Sequence, residues 1–181
     1  IRDSQNPRAS LDPLMTIGAQ VKKSVMLANP HLDKNAQRAR AVEWLDRVQM
    51  NDPNRVHDSY AHELSGGMCQ RAMIAVALAR QPRLLIADEP TTGLDTTVRA
   101  EIVHLFRRLI REDNRAMLYI SHDVREVLYL ADRVMVMKDG MALETVDTMA
   151  LETHIEHRAE YTQFLIRAAG LGDVEQGPGR V

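Results

Sequence analysis

The sequence predicts an α/β protein, and three observations predict it. Two short apolar runs, Leu84-Leu85-Ile86-Ala87 and Ala116-Met117-Leu118-Tyr119-Ile120, have the length of strands. Between them Val98, Ile102, Leu105, Leu109 and Ile110 fall on one helical stripe, with Arg99, Arg107, Arg108, Arg111 and Glu112 mainly outside it. Before them, two glycines open an apolar helix that runs through Ala79 and is ended by Pro82. Helices alternating with strands give the layout.

Each element follows from local chemistry. Asn6-Pro7 and Asp12-Pro13 make the first 15 residues a loop, because a proline disfavours helical geometry in the residue before it. Thr16 is placed to cap a helix reaching about Ala28, which Asn29-Pro30 stops. Asp33 caps the next, in which Val42, Leu45 and Val48 recur at helical spacing toward a break at Asp52-Pro53. Leu84 to Ala87 is expected as a short buried strand, and Thr96 or Thr97 as the cap of the helix after it. A short helix from Val124 to Leu130 precedes a hairpin, Arg133–Lys138 against Met141–Thr145, across the turn dipeptide Asp139-Gly140. Two helical segments and a loose glycine-rich tail complete the 181 residues.

Composition excludes several classes. Lys and Arg total 23 against 25 Asp and Glu, a formal charge of −2, which argues against a nucleic-acid partner. A hydrophobic share of 45% with 27% charged residues is that of a globular chain and not of a disordered one. The longest apolar stretch, Ala72 to Ala79, is far below the roughly 20 residues of a membrane-spanning helix. The single cysteine, Cys69, forms no internal disulfide and fits a reducing compartment; it reads as a small packing residue within its helix. His154 and His157, three apart, lack the further ligands a metal centre requires and read as exposed polar residues.

The chemistry-bearing residues cluster in four places. In Leu64-Ser65-Gly66-Gly67-Met68-Cys69-Gln70-Arg71 a hydroxyl and two side-chain-free residues stand where a helix begins, so backbone N–H groups and the positive helix end converge on an anion site. The plainer alternative is a serine N-cap with a glycine turn. Leu84 to Glu89 ends an apolar strand in two carboxylates, at the strand end where open α/β sheets hold ligands. Asp88 there suits Mg²⁺, and Glu89 suits the polarisation of an attacking water. Thr91-Thr92-Gly93-Leu94-Asp95 continues that loop, and Ile120-Ser121-His122-Asp123 ends the second strand in an imidazole, making His122 a phosphate-contact candidate.

In this order and spacing the four elements resemble the ATP-binding cassette (ABC) ATPases, from residue 1 to about 146. The resemblance implies the C-terminal part of an ABC-type P-loop NTPase nucleotide-binding domain, a sheet with flanking helices plus an α-helical subdomain. Three segments follow: 1–63 with the Q-loop and helical subdomain, 64–146 with the signature helix, Walker B strand, D-loop and switch histidine, and 147–181 with C-terminal helices and tail. It implies catalytic roles for Glu89 and His122, nucleotide contacts from Gln5, Leu64, Ser65, Gly66, Gly67, Gln70 and Asp95, and Mg²⁺ contacts from Gln5 and Asp88. ATP and Mg²⁺ are the implied cofactors. The implied partners are a second nucleotide-binding subunit, equal or related, integral-membrane permease subunits that dock on residues 8–60, and indirectly an extracytoplasmic solute-binding protein. The expected location is peripheral, on the cytoplasmic face of the cell membrane.

Gln5-Asn6-Pro7-Arg8-Ala9-Ser10-Leu11-Asp12-Pro13, Gly67 to Ala75 and Ala87 to Asp95 look most like the oligopeptide, dipeptide and nickel importers, as does Tyr161-Thr162-Gln163-Phe164-Leu165. Ala159-Glu160 stands where that branch usually has His-Pro, and its Cys-containing extension is absent. No Gly-x-x-x-x-Gly-Lys-Ser/Thr loop occurs in these residues. The expectation is therefore an N-terminally incomplete chain that by itself binds ATP poorly and does not hydrolyse it. Two alternatives stand beside an importer subunit: a non-transport ABC ATPase of chromosome maintenance or translation, and an idle regulatory cassette fragment.

Overall fold

A computed structural model describes residues 7–153, 155 and 158–171. Gln5, His154, His157 and the tail from Gly172 lie outside the described residues. The chain divides into two compact units, 1–120 and 121–181.

In the first unit, α1 (Ile17–Ala28), α2 (Lys34–Arg47) and α3 (Pro53–Asp58) build a helical layer. Thr16 and Asp33 cap α1 and α2, accepting from Ala19 N at 3.2 Å and Ala36 N at 2.8 Å. Ile17, Val21, Val25, Ala41, Trp44, Leu45 and Val56 are buried in its interior. Two readings are corrected. The opening loop contains a 3-10 turn at Pro7–Ser10. Asp52-Pro53 starts a helix instead of breaking one: the proline's fixed φ and missing N–H suit a first turn, and Asp52 accepts from Arg55 N at 3.1 Å. Helix α3 packs on α1 so closely that a Cβ on Gly18 would lie 2.1 Å from the His57 ring. Arg38 grips Asp58 through two hydrogen bonds, 2.9 and 3.1 Å, and with His57 holds that carboxyl well below the usual range.

The α4 helix (Gly66–Leu78), nearly all of it buried after its first turn, leads to β1 (Leu84–Asp88), α5 (Thr96–Glu112) and β2 (Ala116–Ile120). The strands pair in parallel from Leu84 with Ala116 to Asp88 with Ile120, α5 forming the crossover. Phe106 of α5 meets Tyr119 of β2 edge-on at 6.1 Å. The expected buried strand is buried on one face only. Leu85 and Ala87 are covered, while Leu84 and Ile86 remain 52% and 48% exposed. The cap of α5 is Asp95, accepting from Val98 N at 3.0 Å, and not Thr96 or Thr97, because its carboxylate reaches the first-turn donor from the residue before the helix.

The turn after α5 is clamped to α2. Asp113 takes a 2.8 Å hydrogen bond from Arg47 and an ion pair at 2.9 Å with Arg115, and the Arg47 guanidinium lies 4.4 Å above the Trp44 ring. Arg108 donates to the Arg47 carbonyl at 2.6 Å, and Arg115 to that of Pro82 at 3.0 Å. Partial burial pushes the Asp113 pKa up. The hydrogen bond and charge of Arg47, with the charge of Arg115, outweigh it and hold the value below normal.

In the second unit Asp123 caps α6 (Val124–Leu130), accepting from Arg125 N at 3.0 Å. The hairpin of β3 (Arg133–Lys138) and β4 (Met141–Asp147) turns through Asp139 and Gly140, both at positive φ. Strand β4 runs two residues beyond the expected Thr145, to Asp147 opposite Arg133, with a register shift at Val136/Met137. Helices α7 (Thr148–Thr153) and α8 (Glu160–Ala168) follow. Glu144 of β4 fixes the start of α8, accepting from Ala159 N at 3.1 Å and from the Thr162 hydroxyl. Among the described residues no helix is long and apolar enough to cross a membrane, and no three His, Cys, Asp or Glu side chains are grouped to hold a metal ion.

A folded-state pKa below the unfolded value means that Asp113 stabilises the fold above about pH 4 and loses that contribution as pH falls through its depressed value. The unfolding midpoint should drop between about pH 5 and pH 2, and drop less in Asp113→Asn, as thermal unfolding followed by circular dichroism will measure.

Candidate functional site

The site is built on two helix N-termini that lie side by side. Ser65, in extended geometry, caps α4: its Oγ accepts from Met68 N at 3.3 Å and its carbonyl from Cys69 N at 2.9 Å. The plain N-cap reading is thus realised, and it leaves the hydroxyl proton to donate outward. The N–H groups of Gly66 and Gly67 take no partner among the described residues. The two glycines differ in what they require. A Cβ on Gly67 would stand 2.6 Å from Val98 Cγ1 of α5, so the helices meet there backbone to side chain. A Cβ on Gly66 would meet nothing within 4 Å; the chain's own packing does not demand a glycine there.

Leu64 and Gln70, expected as nucleotide contacts, are buried at 2% and 3% exposure. Gln70 Nε2 donates to the Pro90 carbonyl at 2.6 Å, tying the loop after β1 to α4. Cys69 is buried in the same helix, its thiol 3.4 Å from the Ala61 carbonyl, in agreement with a packing role.

Asp88 and Glu89 end β1 with different environments. The Asp88 carboxylate is half-buried and makes no hydrogen bond or ion pair among the described residues, so its oxygens fit a hard cation such as Mg²⁺. Glu89 sits at φ 47°, where the chain leaves the extended path, and its N–H is held by the Ile120 carbonyl at 2.8 Å. Its Oε2 accepts from the Thr92 hydroxyl at 2.9 Å. That hydrogen bond from Thr92 fixes the Glu89 carboxylate. Asp95, exposed, spends one oxygen on the α5 cap.

Through Gln70–Pro90 and Gly67–Val98 the structure brings the Ser65 corner, the Glu89 loop and Asp95 into one assembly. His122 belongs to the second unit, where it is exposed beside Ser121, whose hydroxyl donates to Glu126 at 3.3 Å. Sequence reasoning missed Thr92, three residues after Glu89 and legible as a hydroxyl within reach of that carboxylate. It also missed a groove of about 610 Å³ beside the corner, lined by Asn51, Ser65, Met68, Arg71, Glu101 and His104.

Residues 4–92 match the family described as ABC transporter, a span that includes Ser65 to Gln70 and both strand-end carboxylates. The chain carries an ABC transporter domain. The dipeptide transport ATP-binding protein DppD of Escherichia coli is 42% identical over 164 residues, 91% of this chain and 49% of its own length. The glutathione import ATP-binding protein GsiA of Pectobacterium atrosepticum is 42% identical over 96% of this chain and 28% of its own length, and the oligopeptide transport ATP-binding protein AppD of Bacillus subtilis 45% over 82% and 45%. This chain thus spans half or less of these relatives. Among solved structures, the dimeric ATP-binding cassette MJ0796 bound to ADP and Pi superposes with a TM-score of 0.67 at 29% identity, over 76% of this chain and 59% of that one. The α/β fold of this ABC transporter domain is accordingly that of an ABC ATPase cassette.

The glycine pair separates folding from contact in this cassette. Gly67→Ala should lower the unfolding free energy by an overpacking cost of about 1–3 kcal/mol, and with it the denaturant midpoint, and Val98→Ala in the same chain should recover part of it. Gly66→Ala should leave the midpoint unchanged or raised, since it relieves a helical glycine. Denaturant unfolding of the three variants measures this.

Proposed function

We propose that the chain is part of the ATP-hydrolysing subunit of an ABC importer for peptides or a related small solute such as nickel. The observation that carries the reading is the Ser65–Gly66–Gly67 corner: a capped helix end with outward N–H groups, one glycine fixed by Val98 and the other open to whatever approaches. The relatives, described as dipeptide, oligopeptide and glutathione import ATP-binding proteins, support the importer class.

In this reading two cassettes, equal or related, face one another. The Ser65 hydroxyl and the Gly66 and Gly67 N–H groups receive the γ-phosphate of an ATP held by the opposing cassette, and their fixed dipoles meet charge as it develops in phosphoryl transfer. Asp88, with Gln5, would hold Mg²⁺, which when bound neutralises phosphate charge. Glu89, steadied by Thr92, orients the attacking water and takes its proton. Leu64 and Gln70 hold the corner from within, Asp95 steadies the start of α5, and His122 contacts the γ-phosphate. The helical layer, residues 8–60, receives the permease on the cytoplasmic face of the membrane, with a solute-binding protein on the far side.

The 181 residues contain no Gly-x-x-x-x-Gly-Lys loop, so titration with a fluorescent ATP analogue should show weak binding to the chain alone, and adding the chain to an intact peptide-import cassette should tighten binding beyond that of the intact cassette by itself. Ser65→Arg should abolish the gain by bulk and charge, whereas an unchanged gain would remove the corner from its role. In a chain complete with a phosphate loop, Glu89→Gln should retain ATP binding and lower turnover at least about tenfold.

A further inference from the structure

We propose that Arg71 and Glu101 are positioning residues that set the Ser65–Gly67 corner against the start of α5, and so govern transition-state contact without touching nucleotide. The inference rests on the importer reading above. Helices α4 and α5 are joined by two rungs one turn apart. The first is the Gly67–Val98 contact. The second is the Arg71–Glu101 pair, Nη2 to Oε2 at 2.7 Å, four residues along α4 and three along α5.

Arg71 does more than close this pair. It is 9% exposed, and its Nη1 donates to the Val48 carbonyl at 3.0 Å and to Gln49 Oε1 at 3.1 Å, so one guanidinium gathers α4, α5 and the end of α2. Gln49 is held at φ 60°, outside the region most side chains adopt, and Arg71 is bonded to it there. The planar fork supplies these donors in fixed directions, which a lysine ammonium does not reproduce. Glu101, by contrast, has a half-exposed side chain, so its ion pair adds little to folding. Its effect is on placement. Arg71 and Glu101 line the same groove as Ser65 and Gly67, and tilting α4 about the Gly67–Val98 contact would carry the serine hydroxyl and glycine N–H groups off the phosphate. Catalytic contacts tolerate errors of only about 0.5 Å.

The test uses the 181-residue chain mixed with an intact peptide-import cassette, ATP and Mg²⁺, reading kcat and KM of the mixed complex and the chain's thermal midpoint. Glu101→Ala should move the midpoint by no more than about 4 °C, the scale of a lost exposed ion pair. It should lower kcat at least about fivefold while KM, set by the intact cassette's own phosphate loop, changes less than about twofold. Glu101→Gln, still an acceptor for Arg71, should recover at least half of the loss; Arg71→Lys should not recover the wild-type rate. Wild-type kcat in Glu101→Ala, or no recovery in Glu101→Gln, overturns the positioning role alone. A wild-type chain that leaves the intact cassette's kcat unchanged overturns the importer reading, and this inference with it.

Discussion

The structure of the site depends on one close approach, that of α4 to α5 where Gly67 lies under the Val98 side chain. Valine is stiff at χ1, so the contact acts as a fixed stop and not as a soft one. Because it occurs in the first turn of each helix, it sets both helix ends at once. One end carries Ser65 as cap and two outward N–H groups; the other is capped by Asp95 at the close of the loop that Glu89 opens. A phosphate site made of backbone dipoles costs little reorganisation when charge arrives, provided that the dipoles are already in place. The Gly67 contact is what puts them there.

The remaining interactions hold this geometry from three sides. Gln70 fastens α4 to the Pro90 carbonyl beneath the Glu89 loop. Thr92 restrains the Glu89 carboxylate, whose backbone takes a conformation that neighbouring bonds must sustain. Farther off, the Arg47, Asp113 and Arg115 cluster fixes the far end of α5 to α2, with Trp44 under the Arg47 guanidinium. Helix α5 is thus anchored at both ends, near the site by packing and at its far end by charge. This path joins the helical layer to the far end of α5.

Much of this was legible in the residues themselves. The caps Thr16, Asp33 and Ser65 stood where the hydroxyl or carboxylate precedes an apolar periodicity, and the strands were short apolar runs between helices. The failures have physical reasons. Asp52-Pro53 reads equally as a stop and as a start, since proline breaks a helix only beyond its first turn. Asp95 does not stand out as the cap because the adjacent Thr96 and Thr97 are also capping residue types, although aspartate is the stronger of the two. The open face of Leu84 and Ile86 is invisible to periodicity, which reports that a run is apolar and not what covers it. Of the site, the corner and the two carboxylates were readable as local motifs. The Arg71 contacts were not, because Val48, Gln49 and Glu101 lie 22 to 30 residues away in the chain and only the packing of three helices brings them together.

The central claim is that the Ser65–Gly67 corner is completed by a second cassette and its nucleotide. Amide hydrogen exchange across Gly66 to Cys69 tests it most directly, with the chain alone, with an intact cassette, and with the cassette, ATP and Mg²⁺. The account predicts fast exchange at Gly66 and Gly67 in the first two states and marked slowing only in the third. Slow exchange in the isolated chain, or exchange indifferent to nucleotide in the mixture, would contradict it.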